Sequence, residues 1–198
     1  MMTVLKLVHL VLAFVAAPLL LGIINRTKAI FAGRTGQPLL QAYYDIWRLL
    51  RKGAVYSHST SWLFAAGPWI GFAALVAATT LVPFGGLRAP IAFPGDFIVL
   101  IYLLGLARFL LVLSALDTGS SFEGMGASRE VTFSALSEPA LLIALAAVAK
   151  YTGCGSLSDM VVATVPRLWL DAGPIVVLVG FALLIVFLSE NCRIPVDD

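Results

Sequence analysis

The sequence predicts an all-α integral membrane protein with about five transmembrane helices and one cytoplasmic amphipathic helix. Of the 198 residues, 60% are hydrophobic and only 12% are charged, whereas a soluble domain is about 45–50% apolar and about 25% charged. Five apolar segments approach the roughly 20 residues that a helix needs to cross a bilayer. We therefore predict a single membrane domain over residues 1–198.

The five predicted spans follow one another along the whole chain. They cover about residues 4–24, 62–84, 97–116, 131–149 and 168–188. The first is not a signal peptide, because its apolar run is too long and no small-residue cleavage site follows. The fifth is expected to begin near Leu168, because prolines and charges interrupt the apolar stretch before and after it. These interruptions are Pro166, Arg167, Asp171 and Pro174.

Basic residues predict the orientation in a cell inner membrane. Residues 25–61 carry six cations against one acid, Asp45. With five spans, this loop shares a side with residues 117–130 and the C-terminal tail. That side holds more Lys and Arg than the other, so the positive-inside rule places the N-terminus outside and these loops in the cytoplasm. Cys154 and Cys192 then lie on opposite faces, which argues against a disulfide.

The long cytoplasmic loop contains a predicted amphipathic helix at residues 38–52, "PLLQAYYDIWRLLRK". Its apolar residues recur at helical spacing, with polar residues on the other side. The helix either anchors the loop at the membrane interface or forms a docking floor for a peripheral partner, and the two roles are compatible. Just upstream, "GRTGQP" predicts a tight turn that presents Arg34. It lacks the length and lysine of a phosphate-binding loop.

The stretch from Leu116 to Leu142 carries an unusual set of polar residues. "DTGSSFEGMG" predicts a flexible cytoplasmic connection, because it is rich in Gly and Ser. The following helix carries one polar stripe, and Pro139 suggests a kink in it. The stripe consists of Glu130, Ser134, Ser137 and Glu138.

A carboxyl inside a membrane span indicates a functional site with a partner nearby. If Leu116 and Glu130 mark the same boundary, Arg108 and Glu138 both lie about 12 Å deep on neighbouring antiparallel helices. We therefore predict an Arg108–Glu138 ion pair, which either locks two helices together or relays charge within the membrane. The protonation of Glu138 should respond to nearby charge.

The chain offers no metal-ligand pattern. It has no CxxC spacing, and its only histidines are His9 and His58. We expect no catalytic residue, metal, haem or iron–sulfur cluster in this chain, and no nucleic-acid partner. It is not expected to be a catalyst alone.

Three ordered motifs resemble one family of membrane subunits. "GRTGQPLLQAYYDIWRLL" resembles its first cytoplasmic loop, "GASREVTFSALSEP" the start of its fourth helix, and "SENCRIPVDD" its acid–x–x–Arg–x–Pro–x–Asp motif. The family is shared by subunit 1 of respiratory NADH:quinone oxidoreductase and by membrane-bound nickel–iron hydrogenases. "LDTGSSFEGMGASRE" is similar to the formate hydrogenlyase and hydrogenase-4 branch, since the respiratory Gly-Trp and Ser/Asn-Lys-Tyr pattern is missing.

The resemblance implies a subunit that anchors a peripheral redox arm and joins its chemistry to proton or ion translocation. The implied partners are a nickel–iron large subunit, an iron–sulfur small subunit, antiporter-like membrane subunits and the lipid bilayer. The NiFe centre and iron–sulfur clusters would belong to those partners, and a quinone is possible. Residues expected in coupling are Glu138, Glu130, Arg108, Arg129, Glu190 and Asp197. Residues expected in docking are Arg26, Arg34, Gln41, Asp45, Arg48, Asp117, Glu123 and Arg193.

Three alternatives stay open beside the hydrogenase interpretation. They are a quinone-chamber subunit of a respiratory NADH:quinone oxidoreductase, a purely structural anchor, and a secondary transporter. The last is disfavoured because we find no internal repeat. Family members usually continue beyond the last motif, whereas this chain stops at Asp198 inside it. We expect either a truncated product or a fragment, without the acidic run that would normally follow.

Overall fold

A computed structural model describes residues 2–84, 87–164 and 168–191, with side chains at 8–84, 87–163 and 173–191. This part of the chain forms seven helices and no extended strand. The chain divides into two compact units, one up to Tyr56 and one from Ser57 onwards. The helices are α1 (Met2–Phe31), α2 (Gln41–Leu50), α3 (Trp62–Thr79), α4 (Asp96–Asp117), α5 (Ser121–Thr152), α6 (Leu157–Thr164) and α7 (Leu168–Glu190).

Five of the described helices are long and apolar enough to cross a membrane, namely α1, α3, α4, α5 and α7. Side chains such as Trp69 and Leu178 are about 70% exposed on them, as expected where lipid rather than protein covers the surface. The predicted class, an all-α integral membrane protein, is confirmed. The single-domain assignment stays a prediction.

The first unit consists of α1 and the segment that folds back along it. The first span was predicted to end near residue 24, and that boundary stays a prediction; the helix α1 itself continues through a charged turn to Phe31. Gly33 and Gly36 then adopt φ of 68° and 62°, a conformation that favours glycine. They form the turn predicted from "GRTGQP". The returning chain brings Leu39 against Gly22 and hydrogen-bonds the Tyr43 hydroxyl to the Val15 carbonyl.

The predicted amphipathic helix exists, but α2 is shorter than expected and exposes most of its surface. None of its ten residues is buried. Trp47 and Leu50 are 60% and 76% exposed, and the Arg51 guanidinium lies 4.7 Å from the centre of the Trp47 ring, a cation–π contact. In the first turns of the helix, the Gln41 side-chain amide donates to Asp45 at 3.1 Å.

In the second unit, α3 and α4 pack closely because small residues line their contact. A Cβ atom at Gly67 would overlap Ser114 Oγ, so the two helices approach there only because Gly67 has no side chain. Ala78, Leu81 and Leu100 form a small apolar core nearer one end of this helix pair. At the other end, Asp117 accepts hydrogen bonds from Ser61 N–H at 2.7 Å and Ser61 Oγ–H at 2.8 Å.

The flexible connection predicted before the fourth span is wrong, because α5 begins at Ser121. Gly119 makes the turn at φ 69°, and the Ser120 hydroxyl hydrogen-bonds the Glu123 carboxylate. A Ser-x-x-Glu sequence of this kind favours a helix start. Each glycine in a helix costs only about 1 kcal/mol, so Gly124 and Gly126 did not prevent it. The helix runs through Pro139 as one element, and a kink there stays a prediction.

The far end of the second unit is tied together by a short helix that the sequence did not predict. Asp96 is fully buried and accepts hydrogen bonds from the Ser156 hydroxyl at 2.8 Å and the Leu157 N–H at 2.7 Å. The Asp96 carboxylate of α4 thereby satisfies the N–H group of Leu157, the first residue of α6. Arg88 and Asp159 form an ion pair at the same end.

Candidate functional site

Arg108 lies at the centre of a charge cluster that joins three spanning helices. Its Nε is 2.9 Å from Glu130 Oε1, and its Nη1 is 2.9 Å from Glu190 Oε1 and 3.5 Å from Glu138 Oε1. Arg108 Nη2 contacts the second oxygen of Glu190. Only 13% of the Arg108 side chain is exposed. We call Arg108, Glu130, Glu138 and Glu190 the charge cluster.

The helical geometry explains why these four side chains meet. Glu130 and Glu138 are eight residues apart on α5, which places them on one face two turns apart. Arg108 of α4 contacts both carboxylates. Glu190 is the last residue of α7 and approaches from the third helix. Ser137 is buried and donates its hydroxyl to Glu190.

The predicted Arg108–Glu138 ion pair is present, but it is not the shortest contact in the cluster. The membrane boundary near Glu130 stays a prediction. The helix α5 begins nine residues before Glu130, and this carboxylate, which was not predicted to contact Arg108, lies 2.9 Å from its Nε. Glu190 was expected in coupling, but its contact with Arg108 was missed. The sequence offers one signal for this contact. Glu190 is an acid at the end of an apolar run, and Arg108 is an arginine inside another span.

The three carboxylates are not equivalent. Glu130 and Glu190 are 28% and 21% exposed, and both lie within hydrogen-bonding distance of Arg108. Glu138 is 39% exposed and makes the longest contact. A hydrogen bond at 3.5 Å is at the weak limit. Glu138 is therefore the carboxylate that can most readily exchange its partner.

Two apolar cavities lie on either side of the cluster. One, of about 790 Å³, lies between α3, α4, α5 and α7 and has Arg108, Glu130 and Glu190 in its wall. The other, of about 890 Å³, is a groove between α4 and α5 into which Glu138 and Ser134 open. The cluster thus separates two spaces whose walls are otherwise mostly aliphatic and aromatic.

Chemically, the charge cluster places three acids around one guanidinium. Its four side chains carry a formal charge of −2 when all are ionised, so Arg108 cannot neutralise all three carboxylates. Among the described residues, no group of His, Cys, Asp or Glu is arranged to hold a metal ion.

Of the other two predicted coupling residues, the structure describes only Arg129. Arg129 is exposed on α5, one residue before Glu130. Asp197 lies outside the described residues, as do Arg193, Cys192 and Arg167.

The predicted docking residues divide between the two units. In the first unit, Arg26, Arg34 and Arg48 are exposed, whereas Gln41 and Asp45 are half-buried. Arg48 lies 3.9 Å from Asp45. In the second unit, Glu123 is exposed in the first turn of α5, whereas Asp117 is engaged with Ser61.

Two further polar contacts in the structure were not predicted from the sequence. The buried Asp96 was assigned no role, although "PGD" before an apolar run is a typical helix start. The Asp117–Ser61 contact has no local signal, since 56 residues separate its partners.

Comparisons with known proteins agree with this architecture. The chain is 36% identical to formate hydrogenlyase subunit 4 of Escherichia coli (strain K12) over 154 residues, which cover 78% of this chain and 50% of that protein. It is 36% identical to hydrogenase-4 component C of the same organism over 152 residues, covering 77% and 48%. The chain thus spans about half the length of these curated relatives.

A solved structure shares the fold. A chain of an archaeal respiratory membrane complex, the membrane-bound sulfane sulfur reductase, aligns with a TM-score of 0.79. It is 23% identical, and the alignment covers 93% of this chain and 60% of that chain. The sequence pattern of the family described as NADH dehydrogenase matches residues 3–198. Since that match covers nearly the whole chain, the protein belongs to the NADH dehydrogenase subunit 1 family, as its motifs indicated.

Proposed function

We propose that this chain is the membrane-anchor and energy-coupling subunit of a membrane-bound nickel–iron hydrogenase complex of the formate hydrogenlyase type. The names of its two curated relatives support the hydrogenase branch. The proposed partners are the hydrogenase-like large subunit, the iron–sulfur small subunit and antiporter-like membrane subunits. The redox centres belong to the peripheral partners in this proposal.

The charge cluster is the observation that carries the proposal. Polar and ionised groups within spanning helices are costly and usually serve a function. A purely structural link between α4 and α5 would need one carboxylate for one guanidinium, whereas Arg108 faces three. In this proposal, a redox event in a docked partner changes the charge near the cluster, and one of the carboxylates takes up or releases a proton in response. This proton transfer is the proposed coupling step.

We propose that the peripheral subunits dock on the side of the membrane where most of the Lys and Arg residues are predicted to lie. Arg26, Arg34 and Arg48 are exposed in the first unit. In the second unit, α5 has 32 residues, about 48 Å at 1.5 Å per residue, whereas a hydrocarbon core is about 30 Å thick. An untilted α5 therefore extends beyond the core, and its first turns carry the exposed Phe122 and Met125. We place these surfaces on the cytoplasmic side of the inner membrane.

Replacement of Glu138 by Gln tests the coupling role. The Glu138→Gln complex should assemble and reduce an artificial electron acceptor with hydrogen at the wild-type rate. Ion translocation linked to the native reaction should fall strongly, because the carboxyl group proposed to take up and release the proton is absent. Asp159→Asn is the control, since this acid pairs with Arg88 and lies outside both the charge cluster and the proposed docking residues. Proton uptake or release by proteoliposomes measures the result.

Two outcomes would contradict the proposal. Normal ion translocation by the Glu138→Gln complex would leave the cluster as a purely structural link. Purification of the chain as a stable single protein, without iron–sulfur and nickel subunits, would favour a transporter instead.

A quinone-chamber role is the second candidate, and the cavity between α3, α4, α5 and α7 favours it. Its walls include Phe72 and Phe187, which suit an apolar ring and tail. Arg108 and Asn191 supply hydrogen-bond donors at its polar part. A bound quinone would supply a two-electron, two-proton acceptor. A photoreactive quinone analogue should then label α3 or α7, whereas a probe with the same tail but no quinone ring should not.

A further inference from the structure

Gly105 of α4 lies directly against the carboxyl group of Glu138. A Cβ atom at position 105 would be 3.3 Å from Glu138 Oε1, 3.3 Å from Oε2 and 3.4 Å from Cδ. Ordinary contacts between non-bonded carbon atoms begin at about 3.5 Å. The carboxyl group therefore occupies space that any larger residue at position 105 would partly fill.

The contact matters because the ion pair between Glu138 and Arg108 is already long. Its distance of 3.5 Å from Arg108 Nη1 is already at the limit of a hydrogen bond. Gly105 and Arg108 are three residues apart on α4, so they are neighbours on one helix face. A displacement of the carboxyl group away from Gly105 by a few tenths of an ångström would move it out of reach of Arg108.

We propose that Gly105 is a positioning residue, which acts by letting the Glu138 carboxyl group lie against α4 within reach of Arg108. The inference rests on the proposed coupling role of Glu138. Both Gly105 and Glu138 line the groove between α4 and α5. A methyl group at position 105 would therefore loosen the Arg108 contact and also fill part of the groove beside the carboxyl group.

A purely structural role for Gly105 makes a different prediction. Glycines also allow membrane helices to approach closely, so an alanine could act only by separating α4 from α5. Gly71 of α3 provides a control for glycine-to-alanine replacement. A Cβ atom there would meet only Ala107 of α4, at 3.7 Å from its carbonyl oxygen and 3.9 Å from its Cα. These are ordinary contacts, and they do not involve the charge cluster.

Infrared spectroscopy of the purified complex measures the environment of Glu138 directly. The carboxyl bands that disappear in Glu138→Gln belong to this residue. In Gly105→Ala these bands should shift in frequency, because the hydrogen bonding of the carboxyl group changes. They should not shift in Gly71→Ala. Ion translocation per hydrogen consumed should fall in Gly105→Ala, while reduction of an artificial acceptor continues at the wild-type rate.

A double variant separates positioning from packing. Alanine at position 138 removes the carboxyl group that a methyl group at position 105 would meet. Gly105→Ala should therefore lower the melting temperature of the wild-type complex but not that of the Glu138→Ala complex. A packing role predicts the same decrease in both backgrounds, because the two substitutions would then act independently.

The outcomes distinguish this inference from the proposed function. Unshifted Glu138 bands in Gly105→Ala, or an equal shift in Gly71→Ala, would overturn the positioning role even if Glu138→Gln abolishes translocation. If Glu138→Gln translocates normally while the bands still shift in Gly105→Ala alone, the coupling proposal fails and the positioning of the carboxyl group stands.

Discussion

Arg108 and Glu190, which are 82 residues apart in the sequence, meet through two contacts between a planar guanidinium and a carboxylate. Nη1 donates to Oε1 at 2.9 Å, and Nη2 contacts Oε2. Such paired contacts are among the strongest hydrogen bonds in proteins and restrict the relative orientation of the two groups. Arg108 thereby links α4 to α7, while its Nε holds Glu130 of α5.

Removal of the guanidinium should destabilise the membrane part of the complex. Arg108→Met leaves three carboxylates without their shared cation, and loss of one partner of a buried ion pair typically costs about 3–5 kcal/mol. Ion translocation should fall as in Glu138→Gln. Thermal unfolding of the purified complex measures the stability. Arg108→Lys is the control, since it keeps the charge but loses the paired geometry. Its melting temperature should lie between those of the wild type and Arg108→Met. A Met variant as stable as wild type would contradict the role of Arg108.

The close approach of α3 and α4 should depend on the absence of a side chain at position 67. Gly67→Ala introduces a Cβ atom that overlaps Ser114 Oγ, and overpacking of this kind costs about 1–3 kcal/mol. The melting temperature should fall. Gly67→Ala combined with Ser114→Ala should recover part of the loss, since the obstructing hydroxyl is removed. No recovery in the double variant would show that the backbone, rather than Ser114, limits the approach.

Exposed cations of the first unit should hold the peripheral partner. Arg48 is 71% exposed, so its contribution to docking should be screened by salt. Arg48→Glu or Arg34→Glu should release the peripheral subunits at a lower salt concentration than wild type, as measured by co-purification. Lys150→Glu makes the same charge change at the opposite end of α5 and should have no effect. If both arginine variants keep their peripheral subunits at the same salt concentration as wild type, docking by these cations is wrong and α2 serves only as an interfacial helix.

The proposed orientation can be tested with single cysteines at exposed positions. Ser57 precedes α3, and Ser121 is the first residue of α5. Cysteines at both positions should react with an impermeant thiol reagent only from the cytoplasmic side. Replacement of Cys154 and Cys192 by Ser supplies the background without native thiols. Labelling of either site in intact cells from outside would reverse the orientation and the placement of the docking surfaces.

The features that could be predicted from the sequence are those that depend on local composition and helical spacing. The five spans follow from apolar length, and the Arg108–Glu138 pair from the depth of each residue in its own helix. Depth alone could not reveal Glu190 as a partner of Arg108, because that contact depends on how α7 packs against α4. The same holds for Asp96, whose burial arises from α6. The early start of α5 was missed because "DTGSSFEGMG" is rich in glycine and serine, although Ser120 and Glu123 favour a helix start there.

The uninterrupted path of α5 has a mechanical consequence. Glu123 near its start and Glu138 in the charge cluster are 15 residues apart on one helix, about 22 Å along its axis. The chain between them contains no proline. A tilt of the first turns of α5 would therefore also move Glu130 and Glu138, because the helix is continuous. Arg108 is attached to a different helix and would stay behind. A lateral movement of α5 by about an ångström would then be enough to change which carboxylates Arg108 contacts, since a hydrogen bond is lost over such a distance.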